Sequence, residues 1–226
     1  MTEVYAIMLP DDGVFNKMEP ALLQVLEPTR RPEPGRYGHQ AVFQRKVLGR
    51  VLLQWAAEKK YSLPANELTV AKLPIGKPFF DKHPEIHFNV SHSGRWVVVA
   101  LSGAPVGLDV EKVRNANLAV ARRFFAKEEY LQLIAQPPEL QRSFFFDLWT
   151  LKESYLKALG TGLTRPLNTF VVRHEEQQFR LYANGRQLRE TLSQIHLEDD
   201  YKLAVCRLED TAAISAQKIA LETLLK

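Results

Sequence analysis

Apolar and polar positions alternate through the opening residues "EVYAIML", which predicts a strand. Next, "QAVFQRKVLGRVLLQWAAEKK" spaces its apolar residues as a long helix does. "LTVAKL" reads as a strand and "IHFNVSHSGRWVVVALS" as a hairpin. The same order then recurs. "PVGLDVEK" predicts a strand, "SFFFDLWTLKESYLKAL" a helix, "TFVVRH" a strand and "SQIHLEDDYKLAVCRL" a hairpin. One further helix, Leu118 to Ala135, is inserted after the opening strand of this second half. In the later helix Leu148, Leu151, Tyr155 and Ala158 fall on one stripe, the expected core face. The Pro-rich stretch "LEPTRRPEPGR", Leu26 to Arg36, reads as an exposed loop. The expected fold class is therefore α+β. It consists of two similar α/β subdomains, residues 1–104 and 105–226, related by pseudo-twofold symmetry, with the ligand site in the cleft between them.

Composition narrows the setting. A chain of 226 residues that is 46% hydrophobic can bury a full core. Its formal net charge of +4 favours an anionic partner, but no long basic block points to nucleic acid. The single cysteine, Cys206, can form no internal disulfide, and a reducing cytoplasm fits best. The start "MTEVYAIMLPDDG" has no basic segment of the secretory kind, and the longest apolar run is broken and too short for a bilayer. A soluble cytoplasmic protein is expected.

Candidate chemistry begins with carboxylates. In "VGLDVEK", Asp109 and Glu111 stand two apart in a strand, so both point to one face. Such a pair is either solvent-facing or held by a cation between the two groups. Glu153 lies mid-helix beside Trp149, and Lys157 follows one turn later, the spacing of an ordinary ion pair. Three carboxylates with room for water suit Mg²⁺, which takes few protein ligands plus substrate phosphates. Lys152 and Lys157 would then serve the phosphates. At the hairpin tip "NVSHSGRW", Ser91 and His92 read either as phosphate donors or as a plain turn. A Ser-His nucleophile is disfavoured, because adjacent strand residues face opposite ways. "GKPFF" around Lys77 presents main-chain groups to a base or ends a strand. "RRFFAKEEY" puts Glu128 and Glu129 on the inserted helix, as a solvated pair or with one of them as a base.

Taken together, the order G-K-P, N-V-S-H-S, G-L-D-V-E, F-F-A-K-E-E-Y and W-T-L-K-E-S-Y-L-K-A-L-G-T-G-L resembles the Sfp-type phosphopantetheinyl transferases. The likeness runs from about Arg30 to Cys206, and D-x-E with W-x-x-K-E-S-x-x-K is its specific part. It implies the phosphopantetheinyl transferase fold, a monomer, and transfer of the phosphopantetheine arm of coenzyme A to a serine of an acyl or peptidyl carrier protein. Adenosine bisphosphate would leave. On the same basis Asp109, Glu111 and Glu153 match Mg²⁺ ligands, with Mn²⁺ as an alternative. Glu129 matches the general base, and Lys157 the lysine on the pyrophosphate. Ser91, His92 and Lys152 match phosphate contacts, Lys77 the adenine turn, and Arg30 and Lys46 the ribose phosphate site. Phe124, Phe125 and Tyr130 are expected at the carrier-docking surface.

Two other readings compete. Acidic residues, a lysine and a positive net charge also suit a Mg²⁺ nuclease. Glu153 and Lys157 at helical spacing argue against that, since the nuclease E-x-K lies on a strand. A non-catalytic module binding coenzyme A or a carrier would have no need of three carboxylates.

Overall fold

In the computed structural model the structure describes residues 1–115, 117–176, 178–209 and 212–225. The chain opens with β1 (Thr2–Met8), α1 (Asp12–Val25) and the 22-residue α2 (Gln40–Tyr61). A short antiparallel pair, β2 (Val70–Lys72) and β3 (Pro78–Phe80), precedes the hairpin of β4 (His87–Ser93) and β5 (Trp96–Ser102). β6 (Val106–Lys112) begins the second half, followed by α3 (Leu118–Phe124), α4 (Lys127–Ile134) and the 22-residue α5 (Pro138–Leu159). β7 (Val171–Glu175), β8 (Gln178–Ala183) and β9 (Arg186–Gln187) form a small sheet. β10 (Thr191–Ile195), β11 (Tyr201–Arg207) and β12 (Ile214–Ile219) complete the strands.

Two sheets carry the architecture, one ordered β12-β1-β5-β4 and the other β10-β11-β6. Strand alternation sorts their side chains. Tyr5, Ile7, Val97 and Val99 pack outward under α1 and α2, while Val4, Ala6, Trp96 and Val98 turn inward. From the second sheet Leu108, Val110, Leu203 and Val205 meet that inward layer, and Ala204 and Cys206 pack beneath α5. Each sheet thus has a helix on its outer face and an apolar layer between it and the other sheet. This is the α+β arrangement that the alternating pattern predicts.

Three expectations need correction. The inserted helix is two helices, because Phe125 and Ala126 are extended between α3 and α4. Asn117 Oδ1 accepts the Ala119 and Val120 N–H groups to start α3. The Glu129 carboxylate accepts the Ala126 N–H to start α4. Residues 105–226 do not stay in the second half, since β12 returns to pair in parallel with β1, Val4 opposite Ala216. The later helix begins at Pro138, a residue with no N–H to lose at a helix start. Between Leu26 and Arg36 the chain makes two 3-10 turns, Pro28–Arg30 and Pro34–Arg36.

Candidate active site

The site lies where β4 and β6, the edge strands of the two sheets, run side by side. Their seam is built from side chains. Asn89 Oδ1 accepts the Leu108 N–H at 2.9 Å, Ser91 Oγ the Val110 N–H at 3.3 Å, and Ser93 Oγ the Lys112 N–H at 3.1 Å. The two hydroxyls then donate onward, Ser91 to Asp109 Oδ1 at 3.0 Å and Ser93 to Glu111 Oε2 at 2.6 Å. The period of two in N-x-S-x-S therefore faces the period of two in D-x-E, so the serines orient both carboxylates.

α5 is laid over this seam by Gly107. A Cβ there would stand 2.0 Å from the Ser154 carbonyl oxygen and 2.3 Å from the Ala158 nitrogen, so only glycine admits the helix at this depth. The close approach sets Glu153 and Lys157 over Asp109. Lys157 Nζ donates to Asp109 Oδ1 at 2.6 Å and to Ser91 Oγ at 3.1 Å. The lysine thus reaches across to the strand, and the helical Glu153–Lys157 pair that spacing suggests is not what it makes. Asp109 Oδ2 is buried and has no hydrogen-bond partner among the described residues.

Burial pushes the Asp109 carboxyl up, Lys157 opposes that shift, and Glu111 adds to it. Glu153 is also pushed up, by burial first and by Asp109 next. These two carboxylates and Glu111 line one cleft of ≈ 440 Å³, together with Phe124, Trp149 and His92. No three His, Cys, Asp or Glu side chains among the described residues come close enough to hold an ion together. The bare Asp109 Oδ2 and an all-oxygen donor set fit a hard divalent cation in kind. Lys157 stands on Asp109 in the meantime.

A second cleft of ≈ 460 Å³ adjoins the first and shares Val90 and His92 with it. Arg45, Lys46, Gly49 and Arg50 enter it from one face of α2, joined by Arg30 and Lys72. Arg45 is held by two hydrogen bonds to the Gly94 carbonyl, 3.0 and 2.8 Å, at the β4–β5 turn. Burial, then Lys46, Arg45 and Lys157, hold His92 below its ordinary value. The structure brings Arg30, Lys46 and His92 together in this basic cleft. Arg45, Arg50 and Lys72 escaped sequence reasoning, although Lys46 and Arg50 stand one helical turn apart.

Family models match both halves. One described as "4'-phosphopantetheinyl transferase, N-terminal" covers residues 17–103, and one of the 4'-phosphopantetheinyl transferase superfamily covers residues 105–206. The chain is 31% identical to the 4'-phosphopantetheinyl transferase Sfp of Bacillus subtilis (strain 168), over 96% of this chain and 99% of that protein. It is 33% identical to the 4'-phosphopantetheinyl transferase psf-1 of Bacillus pumilus, over 99% and 97%. The 4'-phosphopantetheinyl transferase gsp of Aneurinibacillus migulanus is 34% identical over 84% of this chain and 79% of its own. The chain belongs to the Sfp-type 4'-phosphopantetheinyl transferases. It is an enzyme, and the readings as a nuclease or a purely binding module fall away.

Within the transferase, three sequence assignments change. Lys152 does not reach the phosphates. It is fully buried, with Nζ 2.6 Å from Glu129 Oε1 and 2.7 Å from the Phe170 carbonyl. Glu129 is not a base facing the cleft, since it is equally buried and accepts from Lys152, Val172 N and Ala126 N. Ser91 gives its one hydroxyl proton to Asp109, so it orients a carboxylate and leaves phosphate binding to others. The Lys77 side chain caps the end of α5, donating to the Ala158 carbonyl at 2.7 Å, which leaves the main chain of its turn available, and Pro78 beside it lines the basic cleft. Of the expected docking aromatics Phe124 is 41% exposed, whereas Phe125 is core, stacked on Phe145, and Tyr130 packs against the same cluster.

Proposed function

We propose that the transferase moves the 4'-phosphopantetheine group of coenzyme A onto a serine hydroxyl of an apo acyl or peptidyl carrier protein, releasing adenosine 3',5'-bisphosphate. The observation that carries this reading is the junction at His92 of a cation-lined cleft and a carboxylate-lined one. The first suits the nucleotide end of coenzyme A, with Arg30, Lys46 and Arg50 toward its phosphates. Asp109, through the unpartnered Oδ2, with Glu111 and Glu153, would hold Mg²⁺ or Mn²⁺. When bound, such an ion neutralises charge on the pyrophosphate.

The chain's own residues do the rest. Lys157, 29% exposed and held by Asp109 and Ser91 among the described residues, is free to move onto the leaving phosphate oxygen. Ser91 and Ser93 keep the two strand carboxylates turned to the cleft. Burial and the neighbouring Asp109 raise the affinity of the Glu153 carboxyl for a proton, and a bound cation would hold it ionised instead. Phe124 at the cleft mouth, with the exposed Leu131 and Ile134 of α4 nearby in sequence, offers apolar contacts to a carrier. The reading includes the pseudo-twofold relation of the halves and a cytoplasmic monomer. No helix among the described residues is long and apolar enough to cross a membrane.

The test is the intact mass of an apo carrier protein after incubation with the transferase, coenzyme A and Mg²⁺, with EDTA as control. A gain of one phosphopantetheine, abolished by EDTA, is expected. No gain across acyl and peptidyl carriers, or a gain indifferent to EDTA, overturns the reading or its metal. In the same assay Phe124→Ala should raise KM for the carrier and leave that for coenzyme A unchanged; equal changes would sink the docking assignment.

A further inference from the structure

The turn between β4 and β5, formed by Gly94 and Arg95, is held from both halves of the chain. Its central peptide unit is gripped at each end. Arg45 of α2 donates to the Gly94 carbonyl through Nε at 3.0 Å and Nη2 at 2.8 Å, and the Arg95 N–H donates to the Tyr201 hydroxyl of β11 at 3.0 Å. Gly94 has a φ of 54°, and a Cβ there would run into that hydroxyl, so the phenol lies directly against the turn. Ser93 stands immediately before this unit and is buried. Its hydroxyl accepts the Lys112 N–H and donates to Glu111 Oε2 at 2.6 Å. Arg114 also nears that oxygen, at 3.6 Å, but it is 69% exposed, and such a pair fixes little. The orientation of Glu111 therefore depends on Ser93, and the placing of Ser93 on the turn. Arg45 lines the basic cleft and also, with His92, Ser93 and Glu111, a smaller one of ≈ 320 Å³.

We propose that Arg45 is a positioning residue for the transfer: its grip on the Gly94–Arg95 peptide seats Ser93 and, through the Ser93 hydroxyl, aims Glu111 into the carboxylate cleft. A guanidinium suits this task, because its rigid fork meets a carbonyl with two donors in a set direction, where a lysine brings a point charge on a flexible stem. Hydrogen-bond partners that orient a ligating carboxylate contribute to cation affinity. The inference rests on the proposed function only in giving Glu111 a cation to hold.

Amide hydrogen exchange of the full chain, with neither cation nor coenzyme A added, reads the linkage directly. Arg45→Met should speed exchange of the Lys112 amide at least about fivefold, as loss of a hydrogen bond does, and leave the Leu108 amide, held by Asn89 at the far end of the seam, unchanged. Tyr201→Phe, which releases the other end of the peptide unit, should do the same. Arg45→Lys, which keeps a donor for the carbonyl, should fall between Arg45→Met and wild type. Mn²⁺ binding, read from the paramagnetic signal of the free ion, gives the consequence. Arg45→Met should weaken it at least about threefold, less than loss of a direct partner costs, and should add nothing to Glu111→Gln. If wild type takes up no Mn²⁺, the cation assignment falls and the exchange result alone decides this inference. An unchanged Lys112 amide in Arg45→Met would overturn it and leave Arg45 as a plain phosphate contact. Equal acceleration at Leu108 would overturn it too, making Arg45 a general support of the fold, as would additive effects of Arg45→Met and Glu111→Gln on Mn²⁺.

Discussion

Two lysine–carboxylate pairs hang from the same helix, five residues apart, with the same 2.6 Å contact. Lys152 and Glu129 are both fully buried, and no polar side-chain atom of either lacks a hydrogen-bond partner. The carboxylate takes three N–H donors, and the ammonium also serves the Phe170 carbonyl and lies 4.2 Å from the Phe170 ring centre. Lys157 and Asp109 differ on each count. The lysine is part-exposed, and Asp109 keeps a bare oxygen beneath it. Distance therefore does not separate a structural pair from a working one. Saturation does: the first pair locks α4 and β7 to α5, and the second is left able to exchange partners.

The largest effect should come from breaking the locked pair. Lys152→Met leaves Glu129 buried without its cation and should cost about 3–5 kcal/mol of stability, read from urea midpoints. The double change Glu129→Leu with Lys152→Met removes both charges and should restore much of that loss. If Lys152→Met keeps its midpoint but loses transfer, Lys152 works in catalysis and the comparison fails.

Next in size is the working pair. Lys157→Met should lower transfer by about 10²-fold or more, as loss of one transition-state contact does. Its stability should change by only about 1–2 kcal/mol, because Asp109 keeps the Ser91 hydroxyl and can hold a proton. A larger fall in stability than that of Lys152→Met would reverse the two roles.

The sequence already held part of this distinction. Lys152 lies one turn from both Leu148 and Leu156 and beside Leu151, inside the apolar stripe of α5, while Lys157 lies one turn beyond Glu153 at the stripe's edge. Helical spacing alone thus marked Lys152 for burial, but its place beside Glu153, and then the motif likeness, drew it to the phosphates instead. Asp109 and Glu111 were legible because strand alternation depends only on local geometry. The serines were not, since N-x-S-x-S acquires its meaning from a strand eighteen residues away. The break at Ala126 was hidden for a similar reason: its cap is the carboxylate of Glu129, supplied three residues later where an ordinary capping side chain is missing. The return of β12 to β1 depends on tertiary pairing that its short, largely exposed pattern does not announce.

Lys77 extends the comparison to a third lysine, one that meets α5 with no carboxylate paired to it among the described residues. It caps the helix through the Ala158 carbonyl, and burial lowers it from 10.5 to about 8. A lysine whose folded value is lowered binds fewer protons folded than unfolded between those two values, so its cost to stability falls as pH rises through that window. Below about 8 the amine is charged in both states, and the full cost of burying it is present. The difference in urea midpoint between wild type and Lys77→Met isolates this contribution, because the other titrating groups cancel. Wild type should gain on the variant from pH 8 to pH 10.5, the smallest of the three effects, since the part-exposed amine is eased by solvent and by the negative end of the helix. A difference that stays flat, or moves the other way, would mean that a carbonyl at a helix end satisfies a lysine as fully as Glu129 does.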